Sequence, residues 1–144
     1  MALRLDQKTR LLAALPVFRV LEPEAVHVLA FSAKERKLAA GEQLFRIGDA
    51  SDGGFVLVSG RVLLRAGSTE KMIEPGMLIG EAALISETTR PATALVEEAG
   101  SALELPRALV LQVLEAHPQS ALRLRQHVKE SIAATRNALR GIAV

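Results

Sequence analysis

An α+β fold, with short antiparallel strands between helical flanks, follows from three observations on the 144-residue sequence. Nine of the ten glycines lie between Gly41 and Gly100, and because glycine punctuates turns, the middle of the chain is turn-rich and the flanks are not. Within that middle, short apolar pieces recur between turns spaced roughly ten residues apart, the rhythm of an antiparallel sandwich or barrel. Both flanks repeat their apolar residues at helical period instead. One domain over residues 1–144 is predicted, helical over 1–33, stranded over 34–106 and helical again over 107–140.

The first flank places Leu5, Leu12 and Leu15 on one helical face, breaks at Pro16, and starts a second helix at Pro23 with Val26, Leu29 and Ala30 inward. From Lys34 turns are expected at Ala40-Gly41, Gly48-Asp49, Gly53-Gly54, Ser59-Gly60, Gly67-Ser68 and Pro75-Gly76. FVLVSGRVLLRAG reads as two strands around Ser59-Gly60, and ATALVEEAGSALEL as two more around Ala99-Gly100. After Pro106 a helical face of Leu109, Val110, Val113 and Leu114 runs to His117-Pro118. The last helix carries an apolar seam of Leu124, Val128, Ile132, Thr135 and Leu139 beside a basic row of Arg125, Lys129, Arg136 and Arg140. That row reads as a solvated face, with a partner helix or an anionic surface as the sharper alternatives.

Composition narrows the function. A chain of this size buries roughly 70% of the surface it exposes when unfolded, so it needs no staples. With no cysteine it has no disulfide, thiolate zinc site or cysteine nucleophile, which fits a reducing cytoplasm. The opening MALRLDQKTR lacks a signal-peptide core, and no stretch reaches the roughly 18 apolar residues of a membrane span, so a soluble chain is expected. Eighteen bases against 16 acids leave a net charge of +2, and only four aromatic residues, all Phe, are present. Neither supports a nucleic-acid surface. The bases gather in the flanks, while residues 41–100 hold five bases against nine acids.

Against that acidic middle, GEAALISETTRPAT over residues 80–93 stands out. Gly80 allows close backbone approach, and Glu81-Ala82-Ala83-Leu84-Ile85 can form a short turn whose first N–H groups face outward. Arg90 is the only base between Lys71 and Arg107, and its guanidinium can fork onto a phosphate. Glu81, an acceptor-only group, suits a sugar hydroxyl. Together these suggest a nucleotide reader, although spacing alone fits a plain Glu–Arg salt bridge equally well.

The order of pieces around this segment decides between them. LAALPVF, the GEQLFRIGD turn, FVLVSG followed by Arg61-Val62, the Gly-Glu start with Arg90 and Ala92-Thr93, and two closing helices split at Pro118 resemble cyclic-nucleotide-binding domains over nearly the whole chain. The ligand modules of bacterial cyclic-nucleotide-gated channels and the regulatory domains of cAMP-dependent protein kinase are the nearest in pattern. The resemblance implies an antiparallel β-roll of about eight strands, a jelly-roll-like double-stranded β-helix, with helices at both ends. Glu81 would accept the ribose 2′-hydroxyl, and Arg90 would pair the exocyclic phosphate oxygens. N–H groups near Ala82, Ala83 and Ala92 would complete the cradle begun by Gly80. Leu64, Leu78 and Ile79 would hold the purine. The final helix would close as a lid, with His127, Lys129 and Ser131 as candidates to touch the base.

Pro91 departs from the family pattern, in which a residue bearing a hydroxyl often follows the arginine. Pro91 has neither N–H nor hydroxyl, and because that hydroxyl favours guanine in the family, cAMP is expected over cGMP, with Thr88 and Thr89 as the nearby hydroxyls. A metal-dependent cupin-type enzyme is not expected, since His27, His117 and His127 all fall in predicted helices. There is no nucleophile elbow, Walker loop or Rossmann glycine set. No catalysis, no metal and no membrane insertion are therefore expected. After the last long helix no residues remain for a DNA-reading helix-turn-helix, so direct DNA binding is not expected of this chain. An effector domain, a channel or a second copy through the last helix would be its partner.

Overall fold

A computed structural model describes residues 2–139, with side chains described through residue 131 and at Ala133. Two helices lead, α1 (Leu5–Ala13) and α2 (Pro23–Ser32), joined by a 3-10 turn at Pro16–Phe18. Six strands follow: β1 (Lys34–Leu38), β2 (Gln43–Phe45), β3 (Gly53–Ala66), β4 (Thr69–Ile73), β5 (Leu78–Ile79) and β6 (Thr93–Pro106). A second 3-10 turn, Ala82–Leu84, lies between β5 and β6, and α3 (Arg107–Ala116) and α4 (Pro118–Leu139) close the chain. Pro23 and Pro118 each open a helix, as expected where a missing N–H costs nothing.

All strand pairings are antiparallel, in the order β1-β6-β3-β4, with β2 added to β6 and β5 to β3. This is the α+β roll expected, but with six strands where about eight were expected. The two anticipated hairpins are absent: β3 and β6 each run unbroken for 14 residues and pair with each other from Gly53 opposite Pro106 to Arg65 opposite Thr93. Ser59-Gly60 and Ala99-Gly100 are bulges, with register shifts between Leu57 and Val62. A side chain on Gly60 would lie 2.8 Å from the Ala99 carbonyl oxygen, and one on Gly100 would strike Ser59. Turns and bulges both need glycine, so glycine content alone did not separate them. Gly53-Gly54, expected as a turn, begins β3.

Apolar residues of β3 and β6 face two cores in alternation, as the two-residue period of a strand requires. Val56, Leu103 and Leu105 pack with Leu12, Phe18, Leu29, Val110 and Leu124 in a helical core. Phe55, Leu57 and Ala102 turn into the roll with Val62, Leu64, Ile73 and Ala94. Leu5, expected inward, is exposed. Of the α4 seam, Leu124 and Val128 are buried; Ile132, Thr135 and Leu139, and the basic residues Arg136 and Arg140, lie outside the described side chains. Ser120 Oγ accepts the Glu22 N–H at 2.9 Å, which ties the start of α4 to α2.

Leu124→Ala is expected to cost about 2–5 kcal/mol in urea unfolding, the range for truncating a buried leucine. Leu122, on the same helix but 73% exposed, is expected to stay within about 0.5 kcal/mol when changed to alanine. Equal effects would mean that α4 does not dock through Leu124 in solution.

Candidate functional site

Arg90 is the most deeply buried charge among the described residues, at 5% exposure. Its backbone is clamped on both sides, the N–H donating to Asp49 O at 2.8 Å and the carbonyl accepting from Gly48 N–H at 2.8 Å. The GEQLFRIGD turn therefore presents it. Its guanidinium lies 4.2 Å from the centroid of the Phe45 ring and 5.9 Å from that of Phe55, a cation–π environment. Nη2 stands 3.7 Å from Asp52 Oδ1, while Nε is buried with no hydrogen-bond partner. Burial pushes this group below its usual pKa, Asp52 opposes, Arg107 adds to the lowering, and Asp49 opposes again.

Gly80 sits against this guanidinium with a φ of +86°, and a Cβ there would lie 2.8 Å from Arg90 Nη1. Any larger residue would be strained and would displace the arginine. An orphaned donor beside a bare backbone fits an anion better than it fits packing. The space left is small: a cavity of about 20 Å³ is lined by Phe45, Leu64, Ile79, Gly80, Arg90, Pro91 and Ala92.

Glu81 faces the other way. It lines a pocket of about 320 Å³ with Leu15, Pro16, Val17, Lys71, Gly76, Met77, Leu78, His127 and Ser131. The Ser131 hydroxyl faces its carboxylate from α4, and His127 Nε2 stands 3.9 Å from Oε1. Burial raises its pKa above the usual 4.5, and the Ser131 hydroxyl and His127 only partly offset this.

The sequence-derived set thus falls into two adjacent compartments that meet at Gly80-Glu81. Gly80, Arg90, Pro91, Ala92, Leu64 and Ile79 lie at the small one, Glu81 and Leu78 at the larger. Leu78 and Ile79 are neighbours on β5, so they point to opposite faces. Ala83 N–H donates to the Gly80 carbonyl at 3.1 Å, inside the 3-10 turn of which Ala82 is the first residue. On α4, His127 and Ser131 reach the pocket, whereas Lys129 is exposed and does not line it. His27 lies in α2 and His117 caps α3; among the described residues no cluster of His, Cys, Asp or Glu could hold a metal, and no helix is long and apolar enough to cross a membrane.

Sequence reasoning missed Phe45, Phe55, Asp52 and Arg107. Two of only four aromatic residues flank the one base of the segment, a signal that composition offered. Arg107 Nη1 donates to Ala83 O at 3.2 Å and Ser86 O at 3.0 Å, and Nη2 donates to Ser51 O at 3.0 Å.

The cyclic nucleotide-binding domain family matches residues 35–117, and this chain belongs to it. It is 32% identical over 114 residues to the cyclic nucleotide-gated potassium channel mll3241 of Mesorhizobium japonicum, covering 78% of this chain and 31% of the channel. It is 35% identical over 92 residues to the acetyltransferase Pat of Mycolicibacterium smegmatis, covering 60% of this chain and 28% of that protein. The chain thus spans less than a third of the length of these curated relatives. Among solved structures it is similar to a cyclic nucleotide-binding-like protein from Brucella abortus, with TM-score 0.66, 31% identity, and coverage of 75% and 97% of the two chains. The N-terminal domain of a transcriptional regulator from Streptomyces coelicolor A3(2) gives TM-score 0.72 at 31% identity, covering 90% and 94%.

The environment of Glu81 sets a pH dependence. Because its folded-state pKa lies above the ordinary 4.5, the folded chain holds this proton to higher pH than the unfolded chain, and stability falls as pH rises through that interval. Glu81→Gln is expected to raise the melting temperature of the ligand-free protein at pH 7.5, and the gain should shrink as pH falls towards 4.5. A lower melting temperature for the variant at pH 7.5 would mean that Ser131 and His127 outweigh burial.

Proposed function

We propose that this chain is a non-catalytic sensor that binds a cyclic mononucleotide, cAMP in preference to cGMP, and relays binding through α4. The observation that carries it is the Arg90 guanidinium, buried against Gly80 with an orphaned Nε. A buried, partly unpaired cation stays costly until an anion meets it. The cyclic phosphate supplies that anion to Arg90, and the ribose 2′-hydroxyl donates to Glu81. The base extends into the larger pocket beside Leu78, His127 and Ser131.

A cavity of about 20 Å³ has room for about one water, so the phosphate enters only if segment 80–90 shifts outward. The ribose hydroxyl then meets the carboxylate that faces Ser131 and His127 of α4. Binding therefore acts on α4 through the Glu81 side of the ligand, and α4 answers by re-seating over the base. In the curated relatives the matched stretch is one part of a longer protein, which supports a role as the sensory end of a channel or another effector. Absence of any long apolar helix among the described residues and of cysteine fits a cytoplasmic site of action.

Three hydroxyls near Arg90 bear on base choice. Thr88 Oγ1 is 3.0 Å from Ser51 Oγ, Thr93 Oγ1 accepts the Ile47 N–H at 3.0 Å, and Thr89 is exposed. With Pro91 directly after the arginine, the position that often bears a guanine-favouring hydroxyl in the family has none, which supports adenine.

Calorimetry of the purified chain with cAMP and cGMP tests this reading. Arg90→Ala is expected to weaken cAMP binding by roughly 2–4 kcal/mol, the scale for removing one side of a desolvated charge-assisted pair. Binding of neither nucleotide by the wild type, or unchanged affinity in a folded Arg90→Ala variant, would overturn it. Pro91→Thr is expected to raise affinity for cGMP relative to cAMP by a factor of a few, about one modest hydrogen bond; a wild-type preference for cGMP would refute the adenine assignment.

A further inference from the structure

Arg107 takes no part in the ligand contacts proposed above, yet it is the side chain on which the surroundings of Arg90 converge. A short 3-10 turn such as Ala82–Leu84 leaves carbonyls at its end without partners in the turn, and a planar guanidinium with five donors suits several at once. Arg107 Nη1 takes Ala83 O and Ser86 O, and Nη2 takes Ser51 O on a different loop. Its own N–H donates to Asp52 O at 2.6 Å. No carboxylate lies within 4.0 Å of it among the described residues, so these carbonyls are its partners.

Both segments it holds bear on Arg90. Segment 80–86 begins with Gly80, against which the Arg90 guanidinium packs, and Ser51 precedes Asp52, the acid nearest that guanidinium. The position of Arg107 as first residue of α3 makes this fork the direct polar link from the cassette to the helix that leads into α4. We infer that Arg107 is a positioning residue: its forked bonds to Ala83, Ser86 and Ser51 set the shape of the phosphate-binding segment and couple its movement to α3. The consequence for affinity rests on the cyclic-nucleotide reading; the fastening itself does not.

Amide exchange of the ligand-free protein tests the fastening. In Arg107→Ala, the N–H groups of Ser51, Leu84, Ile85 and Ser86 are expected to exchange about tenfold faster, the effect of losing a charge-assisted bond, while β1 amides stay unchanged. Equal acceleration in β1, or none in either segment, would overturn the inference. Arg107→Lys keeps the charge without the fork and is expected to exchange like the alanine variant. If the alanine variant does not fold, Arg107→Lys carries the same readouts alone, and wild-type exchange in it would show that charge is sufficient and overturn the role of the fork. In calorimetry with cAMP, both variants are expected to bind about tenfold more weakly; unchanged affinity with accelerated exchange would leave Arg107 a fastener and refute its role in binding. A wild type that binds neither cAMP nor cGMP would refute the sensor reading instead, and the exchange result would still decide the fastening.

Discussion

The antiparallel ladder between β3 and β6 bends on itself, and the rest of the structure depends on that bend. Residues from both ends of each strand, Phe55 and Leu64 of β3, Ala94 and Ala102 of β6, meet in one core, although eight or nine residues separate them along the chain. Bulges at Gly60 and Gly100 make this possible, because a bulge kinks its strand and increases its twist. The bend carries Asp52, just before β3, to within 3.7 Å of Arg90, just before β6. Phe45 of β2 and Phe55 of β3, stacked with ring centroids 6.3 Å apart, arrive beside the guanidinium by the same closure.

Two buried groups of opposite sign result, each at odds with its surroundings. Burial disfavours the charged form of Arg90 and of Glu81 alike, and their side chains face different compartments instead of neutralising each other. Partial compensation comes from Asp52 on one side and from Ser131 and His127 on the other. Groups held against their surroundings in this way are what a binding site needs, which agrees with the contacts proposed above for Glu81 and Arg90. Under the proposed reading, a ligand that brings an anion to Arg90 and a hydroxyl to Glu81 relieves both.

The helices are attached to this site at two places of different character. Leu124 and Val128 dock α4 into the helical core together with Leu12, Phe18 and Leu29, a contact insensitive to charge. Glu81, by contrast, faces a hydroxyl and an imidazole of α4, those of Ser131 and His127, the polar groups that a ligand would meet under the proposed reading. The first contact keeps the helix on the domain, and the second is where the helix meets the pocket.

What the sequence by itself determined was local. Helical periods, the prolines that open α2 and α4, and the turns at Gly41, Gly48, Gly67 and Gly76 all rest on residues close together in the chain, where sterics and periodicity act directly, whereas the Gly80, Glu81 and Arg90 segment was legible only through the order of pieces along the whole chain. The tertiary structure alone decided that Gly60 and Gly100 bend continuous strands, that Leu78 and Ile79 serve opposite compartments, and that Phe45, Phe55 and Asp52 surround Arg90. It also decided which α4 residues meet Glu81: His127 and Ser131 four apart on one face, with Lys129 between them turned outward. Each of these depends on how the long ladder closes, and that closure is set by packing between residues distant in sequence, which no local pattern records.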